Sequence, residues 1–428
     1  MPPHHRILRS AILGSIPGIT QLRASRNDDR IDRLNHVYTT VLLVVFAVVV
    51  STTQFAGHPI HCWHPPEFEE MEWYESYIDN YCWISNTYHV PFSEELFPVN
   101  ISDREDREIT YYQWVPIVLL LQAFLFKLPN VVWNLLHTYG GLKLNNLVKM
   151  AETTQLLNPV ERQTVIENIA SHIDKWLDAE RAYKWNKMTV AKQRFANICC
   201  LFCSKRSGTF LCGLFTTVKL LYVCNVIGQF FMLNLFMSMD YMFYGFDILK
   251  GFQTNQPWKQ SPRFPLVTFC DFHIRQQQNI QRWTLQCVLP INLFNEKVFI
   301  FLWFWLFLMV ILSIYNLVSW CYIVMLKRHR YQYVKKYLKV TNRIQGDFDD
   351  KLCRRFANHY FRDDGVFVLR IISNNATDLV TTELVNYLWQ MFQDKQSCGR
   401  PSRAGEKLRP LPRDANTSAT ERNSIHAS

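Results

Sequence analysis

Cysteines carry the most informative chemistry in this chain of 428 residues. Four of the twelve, Cys62, Cys82, Cys270 and Cys287, fall as two pairs in the two segments that a four-span membrane topology places outside the cell. Disulfides persist only in oxidising surroundings, so a pair in each outer segment predicts two rigid loops that meet a partner there. Four cysteines allow three pairings.

Motifs of enzyme chemistry are missing from the sequence. The chain has no P-loop, no Gly-x-Ser-x-Gly elbow, no His-Glu-x-x-His and no paired CxxC with zinc spacing. Cys199, Cys200 and Cys203 lie in an inner segment, where reduced thiols are the expected state and S-palmitoylation is the alternative. We therefore predict no catalytic residues, no cofactor and no enzymatic activity.

Three histidines, His58, His61 and His64, flank Cys62 in a stretch that also contains prolines. Histidines in such a loop are more often solvated than bound to metal, and Cys62 is better explained by a disulfide. A zinc or proton sensor is the alternative, because imidazole binds metals and titrates near neutral pH. The prediction is that the chain has no metal site.

Four apolar stretches are long enough to cross a membrane, because a helix needs about 20 mostly apolar residues to span the hydrocarbon. They are residues 37–57, 111–136, 210–237 and 298–326. The second and third contain Lys127 and Lys219, so one face of each is expected to contact protein or water. The simpler interpretation of both lysines is that they lie near the ends of their spans and snorkel to the membrane surface.

Charge predicts the orientation. Residues 1–36 and 137–209 are rich in Lys and Arg, as cytosolic segments are, whereas residues 58–110 are rich in carboxylates. Both termini are therefore placed in the cytosol, and residues 58–110 and 238–297 outside the cell. We expect the first span to be retained, because no signal-peptide pattern opens the chain. The net charge of +10 indicates topology and affinity for membrane lipid, not nucleic-acid binding.

The inner regions are expected to be helical. Within residues 137–209, apolar side chains recur at helical spacing through residues 161–196. Residues 327–396 combine basic residues with apolar stripes and are also predicted to be helical. Residues 397–428 are dominated by Gly, Pro, Ser, Arg and Thr without an apolar period, which predicts a disordered tail.

The first outer loop is dense in carboxylates, among them Glu67, Glu69 and Glu70. A solvated acidic surface is the simpler interpretation. If several subunits surround one axis, the same carboxylates form rings that concentrate cations at a pore mouth.

Asn100-Ile101-Ser102 is the only glycosylation sequon on an outer loop. Asn100 is therefore a candidate for glycosylation, with an unused sequon as the alternative.

The residues Tyr111-Tyr112-Gln113-Trp114-Val115-Pro116 resemble the signature of the innexins, the invertebrate gap-junction proteins. Two cysteines per outer loop also fit innexins better than connexins, which carry three. The likeness runs from about Asp28 to Asp394. The further segments that resemble the same family are Asp28–Asn35, Gly57–Pro65, Tyr81–Tyr88 and Asp364–Arg370.

This resemblance implies an all-α membrane protein, a four-transmembrane-helix subunit with disulfide-braced extracellular loops and a helical cytosolic domain, assembling around a central pore. It implies homo- or hetero-oligomers with other innexin subunits, about six to eight per hemichannel, and docking with a hemichannel of an adjacent cell. It also favours disulfides between the loops, Cys62 to Cys287 and Cys82 to Cys270.

The function implied by the resemblance is an intercellular channel for ions and small solutes at plasma-membrane cell junctions. A pore-lining N-terminal segment would bring Arg6 and Arg9 to the axis. The alternatives are an undocked hemichannel, as in the related pannexins, and a four-span adhesion or scaffold protein.

Overall fold

Long apolar helices dominate the structure, a computed structural model that describes residues 29–64, 72–92, 97–181, 208–237, 241–253, 263–344 and 346–398. The helices are α1 (Arg30–Phe55), α2 (Glu72–Ile84), α3 (Ile101–Glu105), α4 (Val115–Leu136), α5 (Leu144–Thr153), α6 (Pro159–Arg181), α7 (Phe210–Met237), α8 (Tyr244–Gln253), α9 (Pro290–Met325), α10 (Lys327–Val340), α11 (Asp347–Arg355), α12 (Arg362–Asn375) and α13 (Asp378–Cys398). The strands are β1 (His61–Cys62), β2 (Thr87–Tyr88), β3 (Glu108–Ile109), β4 (Val267–Gln276) and β5 (Asn279–Val288).

Four of these helices, α1, α4, α7 and α9, are long and apolar enough to cross a membrane. α1 packs on α4, α4 on α7, α7 on α9, and α9 on α1, so the four form a closed bundle. The predicted fold class, a four-span helical membrane protein with disulfide-braced loops, is confirmed.

Two of the helices begin earlier than the apolar runs suggest. α1 begins at Arg30 and not at residue 37, because its charged first turn is neutralised inside the bundle. α9 begins at Pro290 and not at residue 298, and its polar first turns are buried, with Asn292 donating to the carbonyl of Pro265 at 2.9 Å. A prediction from hydropathy alone places the end of a span where charged and polar residues begin, even if the helix continues through them.

A five-stranded antiparallel sheet lies at one end of the bundle, in the order β1-β5-β4-β2-β3. β4 and β5 form a long hairpin, in which Gln276 pairs with Asn279 and Gln277 adopts a left-handed φ of 52°. The cysteine pattern predicts braced loops here, but it does not predict the sheet. We refer to β1–β5 with α2 and α3 as the sheet domain.

Helices α5, α6 and α10–α13 form a second unit, which we call the helical domain. α6 and α10 pack on α13, and α5 packs on α12. The periodic apolar residues of α6, including Ile166, Ile169 and Ile173, are buried in its core. The same core continues into the adjoining ends of α4 and α7 through Trp133 and Phe215, so the bundle and the helical domain share one interior.

Candidate functional site

Two disulfides hold the sheet domain together. Cys62 of β1 is bonded to Cys287 of β5, which lies opposite it in the sheet. Cys82 of α2 is bonded to Cys270 of β4. The bonded residues are 225 and 188 positions apart in the chain, and all four are buried. Each bridge therefore joins the α1–α4 connection to the α7–α9 connection, which is the pairing that the family resemblance implies.

The two bridges lie side by side. Ligand atoms of Cys62, Cys82 and Cys287 lie within 4.8 Å of one another. All three sulfur atoms are in disulfides, so they are not thiolates that a metal ion could bind. The group is therefore a covalent crosslink.

A charged cluster links the same two connections a third time. Asp271 of β4 accepts hydrogen bonds from Arg104 at 3.0 Å, from Thr284 at 2.9 Å and from Arg282. Burial raises the pKa of this carboxyl, but the hydrogen bonds outweigh it, so the pKa of Asp271 lies below its ordinary value. The sequence gives no local signal for this ion pair, because Arg104 and Asp271 are 167 positions apart.

The Tyr-Tyr-Gln-Trp-Val-Pro motif forms the joint between the sheet domain and α4. Tyr111 and Tyr112 are buried in a single 3₁₀ turn. Pro116 lies in the first turn of α4, where its missing N–H leaves no hydrogen bond unmade. Trp114 is 55% exposed, so its side chain lies outside the core of this subunit.

Hydrogen bonds and ring contacts attach this joint to its neighbours. Gln54, at the end of α1, donates to the carbonyl of Tyr112 at 2.7 Å. The rings of Trp83 and Tyr112 lie 4.7 Å apart between centroids. Gln113 donates to the carbonyl of Trp83 and to Oδ1 of Asn86. The Tyr-Tyr-Gln-Trp-Val-Pro motif therefore contacts the ends of α1 and α2 and leads directly into α4.

Buried charges connect α7 to the start of α1. Lys219 Nζ lies 2.6 Å from Asp29 and 3.0 Å from Asp32, and its side chain is 1% exposed. Asn316 of α9 donates to the other carboxylate oxygen of Asp32 at 3.0 Å. The ammonium also lies 4.6 Å from the centroid of the Phe215 ring, a cation–π distance. The snorkelling interpretation of Lys219 is therefore wrong, because two carboxylates neutralise it inside the bundle.

A second group of polar contacts lies on the neighbouring turn of α1. Lys127 of α4 is half-buried, with Nζ 3.4 Å from Nδ1 of His36. Asn35 donates to Ser313 of α9 at 3.1 Å. Lys127 therefore contacts α1, another helix of the bundle. A lysine that snorkels to the membrane surface is not expected to make this contact.

Asp364 joins the helical domain to the first turn of α7. Its Oδ1 accepts the backbone N–H of Cys212, and its own N–H donates to the carbonyl of Gly208, both at 2.9 Å. Burial raises the pKa of the Asp364 carboxyl to about 6, although hydrogen bonds from the α7 backbone oppose the shift. A Cβ at Gly208 would lie 2.6 Å from the Arg362 side chain, so only glycine fits there. The family segment Asp364–Arg370 thus caps a membrane helix from outside it.

The predicted pore residues Arg6, Arg9, Glu67, Glu69 and Glu70 lie outside the described residues. So do Cys199, Cys200 and Cys203. The glycosylation candidate is described: Asn100 is exposed just before α3, and its side chain donates to Asp103 at 3.3 Å.

A closed bundle of four apolar helices, with a disulfide-tied sheet domain at one end and a helical domain at the other, defines a four-span membrane protein. A sequence model of the innexin family matches residues 28–392. The chain belongs to the innexin family and is a subunit of an innexin-type gap-junction channel, a multi-pass membrane protein of cell junctions.

Similar proteins match over most of their length. Innexin unc-9 of Caenorhabditis elegans is 40% identical over 372 residues, which cover 86% of this chain and 93% of that protein. Innexin-19 of the same organism is 35% identical over 404 residues, which cover 88% of this chain and 86% of that protein. Innexin-11, also of Caenorhabditis elegans, is 32% identical over 412 residues, which cover 94% of this chain and 87% of that protein. The similarity therefore includes the bundle and both domains.

Proposed function

We propose that several copies of this chain surround a pore, with the sheet domain outside the cell and the helical domain and both termini in the cytosol. Two disulfides in the sheet domain require oxidising surroundings, which supports placing that domain outside. Basic residues concentrate directly after α9, which supports placing α10 inside: Lys327, Arg328, Arg330, Lys335, Lys336 and Lys339.

The contacts between subunits use the apolar faces that the bundle leaves uncovered. Val41, Val45 and Val48 of α1 and Val318 of α9 are exposed in the single subunit. Such side chains contact lipid or the helices of a neighbouring copy. A ring of about six to eight identical or related innexin subunits would bury one set of these faces and leave the other in lipid.

The sheet domain is proposed to dock with the sheet domains of an opposed channel on the next cell. The observation that carries this proposal is the crosslinking of two distant connections by two disulfides and by the pair of Arg104 with Asp271. A surface that is already rigid loses little conformational entropy when it binds, which favours docking.

Paired-cell recordings test the proposal. Junctional conductance and dye transfer should appear when both cells of a pair express the chain. Pairs in which one cell expresses it provide the matched control and should show neither. Current in single cells without transfer between expressing pairs would favour an undocked hemichannel. Surface-delivered protein without any current would favour an adhesion or scaffold role.

The hemichannel is a second candidate because Asn100 is exposed on the sheet domain. A glycan there would hinder the approach of an opposed channel. This candidate predicts that glycosidase increases the gel mobility of the wild type and of Ser102→Thr, which keeps the sequon, but not that of Asn100→Gln. It also predicts that Asn100→Gln increases junctional conductance. Mobility that glycosidase leaves unchanged in the wild type would rule out the glycan.

A further inference from the structure

A cavity of about 290 Å³ lies where the helical domain meets the end of α9. Part of its lining is apolar and includes Ile323 and Val324, which end the membrane-spanning stretch of α9. The charged part of its lining consists of Arg330 of α10 with Asp363 and Arg370 of α12. The cavity thus combines apolar and charged surface at the boundary between the bundle and the helical domain.

Arg370 is a partly buried cation that lacks an acceptor. Within the part of the chain that the structure describes, its guanidinium forms no hydrogen bond and no ion pair, and it lies 4.6 Å from the centroid of the Tyr333 ring. A ring contact of this kind uses none of the five N–H groups in a conventional hydrogen bond, so they remain available. Burial lowers the pKa of Arg370, and no carboxylate among the described residues opposes this shift.

Arg330 brings a second guanidinium to the cavity. Its Nη1 is paired with the Asp363 carboxylate, and its side chain is 12% exposed. Its Nε is buried and has no hydrogen-bond partner among the described residues. Two arginines therefore share the cavity with one carboxylate, which leaves a positive charge without a counter-charge. A partly buried charge is costly when it is unpaired, so an anion in the cavity would stabilise this arrangement.

We propose that the cavity binds the phosphate of an anionic membrane phospholipid, with Arg370 and Arg330 as the donors. A guanidinium matches two phosphate oxygens at once and is the side chain best suited to bind this group. The aromatic floor of the cavity is fixed, because the rings of Trp320 and Phe367 pack edge to face with their centroids 5.8 Å apart.

The position and size of the cavity favour a lipid over a soluble anion. Ile323 and Val324 offer apolar surface next to the two arginines, which suits a phosphate that carries hydrocarbon. The volume is at the low end of the range of about 300–1,000 Å³ for ligand pockets, so the phosphate enters while the acyl chains remain in the bilayer. In the orientation given under the proposed function, the cavity faces the cytosolic leaflet, which is rich in anionic lipid.

Binding of dioctanoyl phosphatidic acid to the purified full-length protein, measured by native mass spectrometry from an uncharged detergent, tests the proposal. Arg370→Gln should weaken binding about tenfold or more, because it removes hydrogen bonds from a charged donor. Arg328→Gln is the matched control: it removes an exposed arginine of α10 that does not line the cavity, and it should bind as the wild type does. Asp363→Asn should strengthen binding, because it removes the carboxylate that competes for Arg330, and a folding defect would not produce this gain. Dioctanoyl phosphatidylcholine, whose headgroup is neutral overall, should bind more weakly.

Other outcomes would overturn the proposal. Equal weakening by Arg370→Gln and Arg328→Gln would mean that the lipid is attracted to the basic surface as a whole. Unchanged binding in both Arg370→Gln and Asp363→Asn would mean that the phosphate binds elsewhere. Inorganic phosphate that displaces the lipid at equal concentration would identify a site for free phosphate. None of these measurements depends on channel activity, so the failure of this proposal and that of the docking proposal are distinguishable.

Discussion

Lys219 shows how a single charge can be kept inside a membrane-spanning bundle. The lysine is the centre of a network in which Asp29 and Asp32 neutralise it and Asn316 orients the second carboxylate. Moving ions out of water is costly, and the cost is offset only while every member is paired. The network therefore fixes the start of α1 against α7 and α9, directly after the basic N-terminal segment.

Replacing Lys219 by Met should lower stability by about 3–5 kcal/mol, because it leaves buried carboxylates without a counter-charge. Thermal unfolding in detergent and surface delivery measure the loss. Lys336→Met is the matched control: its ion pair with Asp378 is exposed, and such pairs are worth at most about 1 kcal/mol. Adding Asp32→Asn to Lys219→Met should recover part of the loss. Equal effects of the two lysine substitutions would show that the network does not stabilise the bundle.

The raised pKa of Asp364 predicts that the stability of the junction between the helical domain and α7 depends on pH. Its pKa of about 6 exceeds the ordinary value of 3.8, so the folded protein binds this proton more tightly than the unfolded chain. The ionised carboxyl therefore costs stability of the order of 3 kcal/mol above pH 6, and the cost disappears as the pH falls toward 4.

Asp364→Asn should remove this dependence, because the amide oxygen still accepts the α7 backbone N–H without carrying charge. Relative to the wild type, the variant should be more stable near pH 7.5 and similar in stability near pH 4. Thermal unfolding across this range checks the prediction. Asp347→Asn, at an exposed aspartate that begins α11, is the control and should change little at any pH. Parallel curves for the wild type and Asp364→Asn would contradict the assignment.

Among the elements, the spans were predictable from the sequence and the sheet domain only partly so. Apolar run length is a local property, and α7 occupies the same residues as its predicted span. The β4–β5 hairpin also has a local signal, since Thr268, Cys270 and Phe272 alternate with more exposed residues and are buried. The positions of the cysteines alone do not reveal this alternation. The ion pairs have no local signal, because Lys219 lies 187 and 190 positions from its partners.

Removing either disulfide should lower the stability of the sheet domain by about 2–4 kcal/mol and reduce surface delivery or docking. Cys82→Ala/Cys270→Ala removes one bridge without leaving a free thiol, and Cys62→Ala/Cys287→Ala removes the other. Cys224→Ala, at an exposed free cysteine on α7, is the control. Surface biotinylation and paired-cell conductance measure the effect. A Cys62–Cys82 peptide in non-reducing mapping of the wild type would contradict the bridges between the two connections.

In the assembled molecule, two oppositely charged sets of residues are proposed to compete for control of the permeating ions. Arg6 and Arg9 would be repeated around the inner part of the pore, and Glu67, Glu69 and Glu70 around its outer mouth. Salt screens a charge over about 8 Å at physiological ionic strength, so charges at the narrowest part of the passage have the greatest effect.

Neutralising Arg6 and Arg9 should therefore shift ion preference toward cations more than neutralising the three glutamates shifts it toward anions. Reversal potentials in asymmetric salt, recorded from Arg6→Gln/Arg9→Gln and from Glu67→Gln/Glu69→Gln/Glu70→Gln, measure the two shifts. An N-terminal change without effect, beside a large effect of the glutamates, would mean that the leader does not line the pore.

The close approach of Cys62, Cys82 and Cys287 bears on how the protein matures. In the proposed orientation, the first connection enters the oxidising lumen before Cys270 and Cys287 have been made, and at that stage Cys62 and Cys82 could pair only with each other. Attack of the Cys287 thiolate on the Cys62 sulfur of such a bridge would form Cys62–Cys287 and release Cys82 as a thiolate, and the Cys82–Cys270 bridge would then still need a two-electron oxidant. We therefore expect that completion of both bridges needs a two-electron oxidant in the compartment where the sheet domain folds, as well as membrane insertion.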